Sequence, residues 1–435
     1  MQTRTPYACP MQALTREAMR QATRRYGTPL YLYDLARLEA DAQAIRDAFP
    51  DPWLRLYALK ANGLPGLLER LTGNGFGASA VSGGELLLAR RAGFPMALTA
   101  LEGVGKSTND LGTAVAGVRA GSPLLWVSLE SAEEAAVLAR LMEAAGRREG
   151  RRSDRDEPRL DVLVRLNPQV RPETHLGLAV GAADSKFGVL TEELPEVIEA
   201  GGGVSGPLRW RGLHVHVGSQ LGAVDAWRAA VRVGLRVLGL QRASLPDFDT
   251  LDCGSGFPVD HGLAGSVPSA RLFAAAVHQE LNELPEDVRP RRLAIEPGRA
   301  VVAGAGWLVA SVLHVRSRER PIVVLDAGMT ELIRPALYGA EHPLLALTSM
   351  GRAVEPASGV GQPAVMVRVD GPICESTDRL GEAALPPLRR DDLVAIGVAG
   401  AYASSMASTY NGRPRPPEIA WDGVRLALLR RRGRI

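Results

Sequence analysis

Short apolar segments alternate with amphipathic segments over most of the chain, and this alternation is the strongest constraint on its fold. The segments with strand character are 54–59, 77–81, 96–101, 123–129, 159–167, 209–217, 249–253 and 292–296. The intervening segments, such as SAEEAAVLARLMEAA, space their apolar residues with a helical period. Because each helix returns the chain to a parallel neighbouring strand, eight such units predict a (β/α)8 barrel of the α/β class.

The sequence changes character after residue 300. Segments such as PIVVLDAG and PAVMVRVDGPIC are β-rich and are joined by Gly/Pro turns, with little helical periodicity. They predict a C-terminal antiparallel β domain, and the strand-like TPLYLYD is expected to join it. We therefore expect an N-terminal segment at 1–35 that joins the β domain, a barrel at 36–299 and a β-sandwich or β-barrel domain at 300–435.

Composition narrows the class of protein and its partners. The 435 residues carry a formal net charge of +3, spread along the chain, which argues against nucleic acid as the main partner. Cys9, Cys253 and Cys374 lie far apart, so the sequence predicts neither a disulfide framework nor a zinc site built on CxxC pairs. No signal-peptide core and no run of 18 apolar residues occurs, so no membrane association is expected. We expect a soluble protein of the cytoplasm.

Polar residues stand at the carboxyl ends of several predicted strands, where barrels of this kind place their sites. Lys60 ends the first strand, Arg165 the fifth, and HVHVGSQ, with His214 and His216, the sixth. The seventh strand leads into the turn CGSGFP, and Glu296 ends the eighth, in EPGR. Packing does not explain five such ends on one rim, so we predict a functional site there.

The turn Gly254-Ser255-Gly256 predicts phosphate binding. Its backbone N–H groups can come close to a phosphate, although a short glycine-rich turn is a weak signal by itself. The turn follows the seventh strand and Gly298 follows the eighth, which is the common phosphate position in such barrels.

His214 and His216 allow two interpretations. They lie two residues apart on a strand, so both point to one face and would suit a catalytic zinc ion. A catalytic zinc also needs a third ligand and a base, and the other strand ends offer no further His or paired Asp. We therefore expect no metal, and favour an imidazole that stacks on a flat cofactor ring.

Lys60, in YALKAN, also allows two interpretations. It is either a surface lysine whose stem packs on apolar neighbours or a lysine partly desolvated in the barrel mouth. A desolvated lysine favours its neutral amine, which condenses with an aldehyde. Beside a phosphate-binding rim, it predicts pyridoxal 5'-phosphate, with Glu296 keeping the pyridine nitrogen protonated so that the ring is a strong electron sink.

Motifs along nearly the whole chain are similar to those of diaminopimelate decarboxylases, members of the pyridoxal-phosphate fold group that includes ornithine decarboxylase and alanine racemase. The motifs are YALKAN, VSGGEL, RLNP, SKFG, HVHVGSQ, EPGR, DAGMTELIRPALY, GPICESTDRL and GAYASSMASTYNGRPRPPE. The last three are long and specific. The resemblance implies an alanine-racemase-like fold and a homodimer.

The resemblance implies a role for each matching residue. Lys60 would hold the cofactor covalently and Cys374 would donate a proton, so these two are the expected catalytic residues. The expected cofactor contacts are Lys60, Arg165, His216, Ser219, Gly254, Ser255, Gly256, Glu296, Gly298, Arg299 and Tyr402. The expected substrate contacts are Arg299, Arg334, Tyr338, Glu375 and Tyr402. The segment CES would reach across a dimer interface into the partner's site.

Glu296 and two arginines narrow the reaction. A carboxylate at the ring nitrogen favours decarboxylation over racemisation, because it keeps the electron sink strong. Arg299 and Arg334 indicate a second carboxylate that survives the reaction, since a guanidinium binds a carboxylate through two hydrogen bonds. Ornithine and lysine have no second carboxylate, so the expected reaction converts meso-2,6-diaminopimelate to L-lysine and CO2.

Departures from the family pattern keep other hypotheses open. Ser255 replaces the middle glycine of a triplet, Ser79 stands where aspartate is usual, and Glu341 stands where an aromatic is common. The loop LEGVGKS also departs from the usual sequence. The second hypothesis is therefore a decarboxylase of a modified or carrier-linked amino acid in a specialised pathway, and the third is a non-catalytic regulatory homologue.

Overall fold

The structure is a computed structural model that describes residues 13–148, 159–175, 177, 181, 185–261, 267–354 and 364–434. Cys9 and the first third of the segment predicted at 1–35 lie outside the described residues. The chain divides into two compact units. The barrel unit comprises Gln43–Pro258 and Val267–Gly298, and the β unit comprises the described parts of Met1–Ala42, Val259–Ser266 and Arg299–Ile435. The three-part division made from the sequence stays a prediction.

Helices and strands alternate through most of the chain. The helices are α1 Ala13–Tyr26, α2 Leu35–Ala48, α3 Pro65–Gly73, α4 Gly83–Arg91, α5 Thr108–Arg119, α6 Ala132–Arg148, α7 Leu194–Ala200, α8 Asp225–Gln241, α9 Ala270–Asn282, α10 Arg299–Val302 and α11 Arg334–Tyr338. The strands are β1 Leu30–Asp34, β2 Leu54–Ala58, β3 Gly77–Ala80, β4 Thr99–Leu101, β5 Trp126–Leu129, β6 Leu160–Leu166, β7 Leu208–Val215, β8 Thr250–Asp252, β9 Arg292–Ile295, β10 Gly306–Arg316, β11 Ile322–Leu325, β12 Leu344–Ala346, β13 Thr348–Ser349, β14 Arg352–Ala353, β15 Val365–Asp370, β16 Arg379–Leu385, β17 Leu393–Ile396, β18 Glu418–Trp421 and β19 Leu426–Arg430. Among the described residues, no helix is both long and apolar enough to cross a membrane.

Strands β2 to β9 form a closed parallel barrel, which confirms the predicted (β/α)8 architecture. The barrel closes where β9 pairs with β2, with Leu54 opposite Ala294. Each predicted strand is present, with ends that differ by one to three residues. The largest differences, three residues each, precede β4 and β5. Before β4, Met96–Leu98 forms a 3-10 turn after Pro95 instead of extended chain.

Side chains that point inward fill the barrel. The buried cluster consists of Leu56, Ala100, Trp126, Leu163 and Ala294, all at most 1% exposed. These residues come from β2, β4, β5, β6 and β9, so strands far apart in sequence share one core layer. The indole N–H of Trp126 donates to Glu102 Oε1 at 3.1 Å, which satisfies the buried indole and fixes that carboxylate.

The β unit is built on one large sheet that includes the N-terminal strand, as predicted. Its strand order is β16-β15-β11-β10-β1-β18-β19, with β17 pairing with both β10 and β12. β1 is antiparallel to β10 and parallel to β18, and β11 is parallel to β15. The sequence predicted an antiparallel domain, and the sheet is mostly antiparallel. Its two parallel pairs join strands that are distant in sequence. Helix α1 packs on this sheet through Ala18, Met19 and Ala22.

Gly77 gives a test of barrel packing. A Cβ at Gly77 would lie 2.7 Å from Leu56 Cδ2 and would clash with the Leu98 carbonyl oxygen. We expect Gly77→Ala to lower the free energy of unfolding by about 1–3 kcal/mol, the usual range for an overpacked core. The matched control is Gly112→Ala in α5, where nothing lies within 4 Å and alanine should stabilise the helix by roughly 0.5–1 kcal/mol. Urea unfolding measures both, and equal stability of the two variants would contradict the packing account.

Candidate active site

Lys60 lies on a 3-10 turn, Leu59–Ala61, directly after β2. The Ala58 N–H donates to the Pro297 carbonyl at 3.2 Å, and a Cβ at Gly298 would lie 3.0 Å from Ala61 Cβ. Gly298 is therefore needed for the close approach of the segment after β9 to the Lys60 turn. The lysine is exposed, while its charge acts on the buried His216 and Glu296. The expectation of a partly desolvated amine stays a prediction. The turn ends the strand at the rim of the barrel, and this leaves the long side chain in solvent.

His216 is held by the glycine-rich turn that follows β8. The Ser255 N–H donates to His216 Nδ1 at 3.1 Å. Gly254 and Gly256 have φ angles of +62° and +132°, and a Cβ at Gly254 would lie 2.7 Å from that Nδ1. This N–H therefore donates to the imidazole, whereas the sequence predicted that it donates to a phosphate. The phosphate roles of the turn, Ser219 and Gly298 stay predictions.

The charge state of His216 suits a flat stacking partner. Burial, followed by the charges of Lys60 and Arg165, lowers the pKa of His216 well below its usual value. The ring is then neutral, and because Nδ1 accepts a hydrogen bond, the proton is on Nε2. A neutral imidazole can stack on a positively charged heterocycle without charge repulsion.

A buried acid–histidine–acid arrangement lies inside the barrel, and sequence reasoning missed its role. His214 Nδ1 lies 2.8 Å from Glu102 Oε2, and His214 Nε2 lies 3.2 Å from Glu296 Oε2. Ser128 Oγ lies 3.1 Å from the same Nδ1. The exposed fractions are 2% for His214, 3% for Glu102 and 5% for Glu296. HVH indicated His214, but Glu102 lies in a loop that carried no motif signal.

The two carboxylates decide the charge of His214. Burial alone would lower the pKa of His214, but Glu102 and Glu296 outweigh it and raise the pKa to about 10. Burial alone would raise the pKa of Glu296, but His214 and then Lys60 hold it well below its usual range. The imidazole is therefore protonated at neutral pH and Glu296 is ionised.

Asp252 completes this buried group. Burial, followed by the Glu296 charge, raises the pKa of Asp252 well above its usual value, which favours its uncharged form. Its Oδ1 accepts the Gly254 N–H at 2.8 Å. The carboxyl group thus links the strand end to the glycine-rich turn.

Two sets of side chains in the barrel come close enough to surround a metal ion. Their ligand atoms lie within 4.8 Å of one another in the sets His214, His216, Glu296 and Glu102, Asp252, Glu296. A metal needs a neutral imidazole and ionised carboxylates. Because His214 is charged and burial favours the uncharged form of Asp252, these groups compete with a cation. The expectation of no metal stays a prediction.

Arg165 is engaged within the barrel unit. Its Nη1 lies 2.9 Å from Glu130 Oε1, and its guanidinium lies 4.7 Å from the centre of the Phe187 ring. Glu130 Oε2 also accepts the Gly188 N–H at 3.1 Å, so Arg165 connects RLNP with SKFG. A direct cofactor contact of Arg165 stays a prediction.

Four of the five predicted substrate residues form one cluster in the β unit: Arg299, Arg334, Tyr338 and Tyr402. The guanidinium of Arg299 lies 4.7 Å from the centre of the Tyr402 ring, and that of Arg334 lies 5.7 Å from the centre of the Tyr338 ring. Both arginines are buried. Burial, followed by the charge of Arg299, lowers the pKa of Arg334 to about 10. Two like charges thus stand together in a poorly solvated place, which favours an anionic ligand.

Cys374 and Glu375 lie on an exposed turn of the β unit. Tyr410 OH donates to Glu375 Oε1 at 2.9 Å. The turn is fixed by the buried Asp378, whose Oδ2 accepts the Ile373 N–H at 2.7 Å and whose Oδ1 accepts the Met329 N–H at 2.6 Å. The Asp of CESTD is therefore a scaffold residue that joins this motif to DAGMTE. Sequence reasoning did not assign it a role.

The departures from the family pattern remove none of these groups. Ser79 is buried on β3, and Glu341 is exposed, with its backbone carbonyl accepting a hydrogen bond from His261 Nδ1 at 2.6 Å. In LEGVGKS, the buried Lys106 Nζ lies 3.0 Å from Glu134 Oε1 and also donates to the Gly103 carbonyl. The lysine thus anchors the altered loop on α6.

The family model "Pyridoxal-dependent decarboxylase, pyridoxal binding domain" matches residues 35–303. The chain belongs to this family. Among its curated members, the chain is 36% identical to the diaminopimelate decarboxylase of Deinococcus radiodurans over 97% of each chain. It is 32% identical to that of Aquifex aeolicus, over 95% of this chain and 91% of the other.

Solved structures of this family have the same fold. The diaminopimelate decarboxylase of Helicobacter pylori, complexed with L-lysine, aligns with a TM-score of 0.83 at 29% identity, over 95% of this chain and 96% of the other. A lysine/ornithine decarboxylase of Vibrio vulnificus, complexed with putrescine, aligns with a TM-score of 0.75 at 25% identity, over 95% and 99%. The family membership establishes pyridoxal phosphate as the cofactor.

The barrel residues of this decarboxylase fit that cofactor. The exposed Lys60 amine is accessible to an aldehyde, the neutral His216 offers a flat surface, and the ionised Glu296 suits a protonated ring nitrogen. The specific role of each residue toward the cofactor stays a prediction.

Gly254→Ala tests the turn that holds His216. The added Cβ would contact His216 Nδ1 and the Val215 carbonyl, and φ is in the left-handed region. We expect the dissociation constant for pyridoxal phosphate to rise on the order of tenfold or more, because a displaced imidazole loses its bond to the Ser255 N–H. Gly239→Ala, at a position of α8 with nothing within 4 Å, is the control and should bind normally. Titration of the apo-protein with cofactor measures this, and normal binding by the Gly254 variant would contradict the proposed constraint.

Proposed function

We propose that this protein is a carboxy-lyase that converts meso-2,6-diaminopimelate to L-lysine and CO2 in lysine biosynthesis. The observation that carries the choice of substrate is the Arg299 and Arg334 pair. Both guanidiniums are buried, and no carboxylate lies within ion-pair distance of Arg334 among the described residues. A ligand with a carboxylate remote from the reacting carbon would relieve this repulsion, and it would bind through two parallel hydrogen bonds.

The barrel residues supply the chemistry common to the family. When bound, the cofactor withdraws electrons from the bond that releases CO2. Lys60 anchors the cofactor, His216 lies against its ring, and Glu296 carries the negative charge that keeps the ring nitrogen protonated. Cys374 then protonates the substrate carbon, which is a general-acid role.

The same proposal includes a homodimer in which each protomer completes the other's site. Cys374 and Glu375 are exposed on a turn that Asp378 fixes, so they are available to a second copy of the chain. Tyr410 orients Glu375 toward a distal substrate amine. We expect this assembly in the cytoplasm, where a reducing environment keeps the Cys374 thiol free.

A substrate panel with Arg334→Met tests the proposed substrate. The purified holoenzyme should release CO2 from meso-2,6-diaminopimelate with a higher kcat/KM than from lysine or ornithine. Arg334→Met removes a charged hydrogen-bonding partner, which should weaken substrate binding by about 1.5–3 kcal/mol. The KM for meso-2,6-diaminopimelate should therefore rise roughly 10- to 100-fold, whereas the KM for a substrate that has no second carboxylate should change little. The exposed Arg352 supplies the control variant Arg352→Met. Activity confined to lysine, ornithine or a carrier-linked amino acid would overturn the assignment.

Mixing two inactive variants tests the shared sites. Lys60→Ala cannot anchor the cofactor, and Cys374→Ala binds it but should protonate the product slowly. If sites are shared, a mixed dimer has one intact site, so random exchange should recover roughly a quarter of wild-type activity. No recovery after exchange, with mixed dimers confirmed by tagged chains, would contradict sharing. Normal turnover by Cys374→Ala alone would contradict its acid role.

A further inference from the structure

A line of three buried side chains, Glu102, His214 and Glu296, crosses the inside of the barrel. Glu102 follows β4, His214 lies in β7 and Glu296 follows β9. The imidazole stands between the carboxylates at 2.8 Å and 3.2 Å. Each ring nitrogen of His214 lies beside a carboxylate oxygen and the residue is 2% exposed, so it is not accessible to substrate. It can therefore act on the reaction only through Glu296.

We propose that His214 is a positioning residue that engages one oxygen of Glu296, leaves the other for the cofactor ring nitrogen, and thereby drives the shared proton onto that nitrogen. The geometry assigns the two oxygens: Oε2 is the one that faces His214. Glu102 holds the other side of the imidazole and so fixes its orientation. This inference rests on the cofactor and is independent of which amino acid is decarboxylated.

Coulomb's law gives the direction of the effect. A proton between Glu296 and a pyridine nitrogen can sit on either partner. Moving it to the nitrogen places a negative charge on Glu296, next to His214, and a positive charge farther away. Because interaction energy falls with distance, a cationic His214 stabilises the carboxylate more than it destabilises the pyridinium. The ring nitrogen therefore gains the proton.

The other groups that face this line leave that balance intact. Burial favours the uncharged form of Asp252, and Ser128 offers only a neutral hydroxyl to Nδ1. His216 is neutral, and in the protein without cofactor the charge of Lys60 lowers the pKa of Glu296 in the same direction as that of His214.

A purely structural role is the alternative. Buried ion pairs often serve packing or specificity and add little to stability. Such a role predicts that loss of His214 changes folding or cofactor affinity but not the protonation of the bound ring. The protonation state of the ring nitrogen separates the two roles.

The experiment uses holoenzyme reconstituted with pyridoxal phosphate that carries nitrogen-15 in the ring. The nitrogen chemical shift reports whether the ring is protonated, without any substrate. We expect the wild-type signal at the pyridinium value and the His214→Gln signal displaced toward unprotonated pyridine. Its kcat should fall on the order of tenfold or more with KM little changed, because the electron sink is weakened.

Two further variants keep the test decisive. Ser128→Ala removes a neutral contact to the same Nδ1 and should leave the ring signal at the wild-type value. Glu102→Gln removes a charged partner of the imidazole and should displace the ring signal in the same direction as His214→Gln. If the His214 variant does not bind cofactor, the Glu102 variant alone tests the inference. An unchanged ring signal in loaded His214→Gln, or in Glu102→Gln, overturns the inference. The ring signals do not depend on the substrate. If the enzyme failed to use diaminopimelate, the proposed function would fail, but the predicted ring signals would be unchanged.

Discussion

Closure of the barrel is the constraint on which the site depends. Pairing of β9 with β2 brings the last strand beside the first, and the hydrogen bond from the Ala58 N–H to the Pro297 carbonyl continues that pairing past the strand ends. Lys60 and Gly298 are distant in sequence, yet their segments meet because the sheet has no edges. The need for glycine at 298 follows, since a side chain there would press on Ala58 and Ala61. An open sheet would separate Lys60 from Glu296.

Charge is handled in opposite ways in the two units. Inside the barrel, the His214 cation stands between the carboxyl groups of Glu102 and Glu296, and burial favours the uncharged form of Asp252. In the β unit, Arg299 and Arg334 stand together and repel each other. The first arrangement is internally balanced and suits a permanent scaffold for a cofactor. The second brings two cations together and suits an anionic ligand that binds and then leaves, because the anion reduces their repulsion.

Local hydrogen bonds orient several of the predicted site residues, and the sequence motifs do not indicate these hydrogen bonds. The Ser255 N–H orients His216, and Asp378 fixes the turn that presents Cys374. Both contacts are between backbone N–H groups and single side-chain atoms, which a sequence pattern does not reveal. The altered loop LEGVGKS is likewise anchored by the Lys106–Glu134 pair, so its departure from the family sequence leaves an ordered loop.

The sequence by itself determined the barrel, the sheet that includes the N-terminal strand, and the family, because periodicity and strand-end residues are local properties that a chain carries along its length. It also indicated Lys60, Glu296 and the arginines through motifs. Only the tertiary structure decided that Lys60 is exposed, that the Ser255 N–H serves His216, and that His214 is charged between Glu102 and Glu296. Those properties depend on distances and burial among segments far apart in sequence, and such distances exist only after the strands have closed.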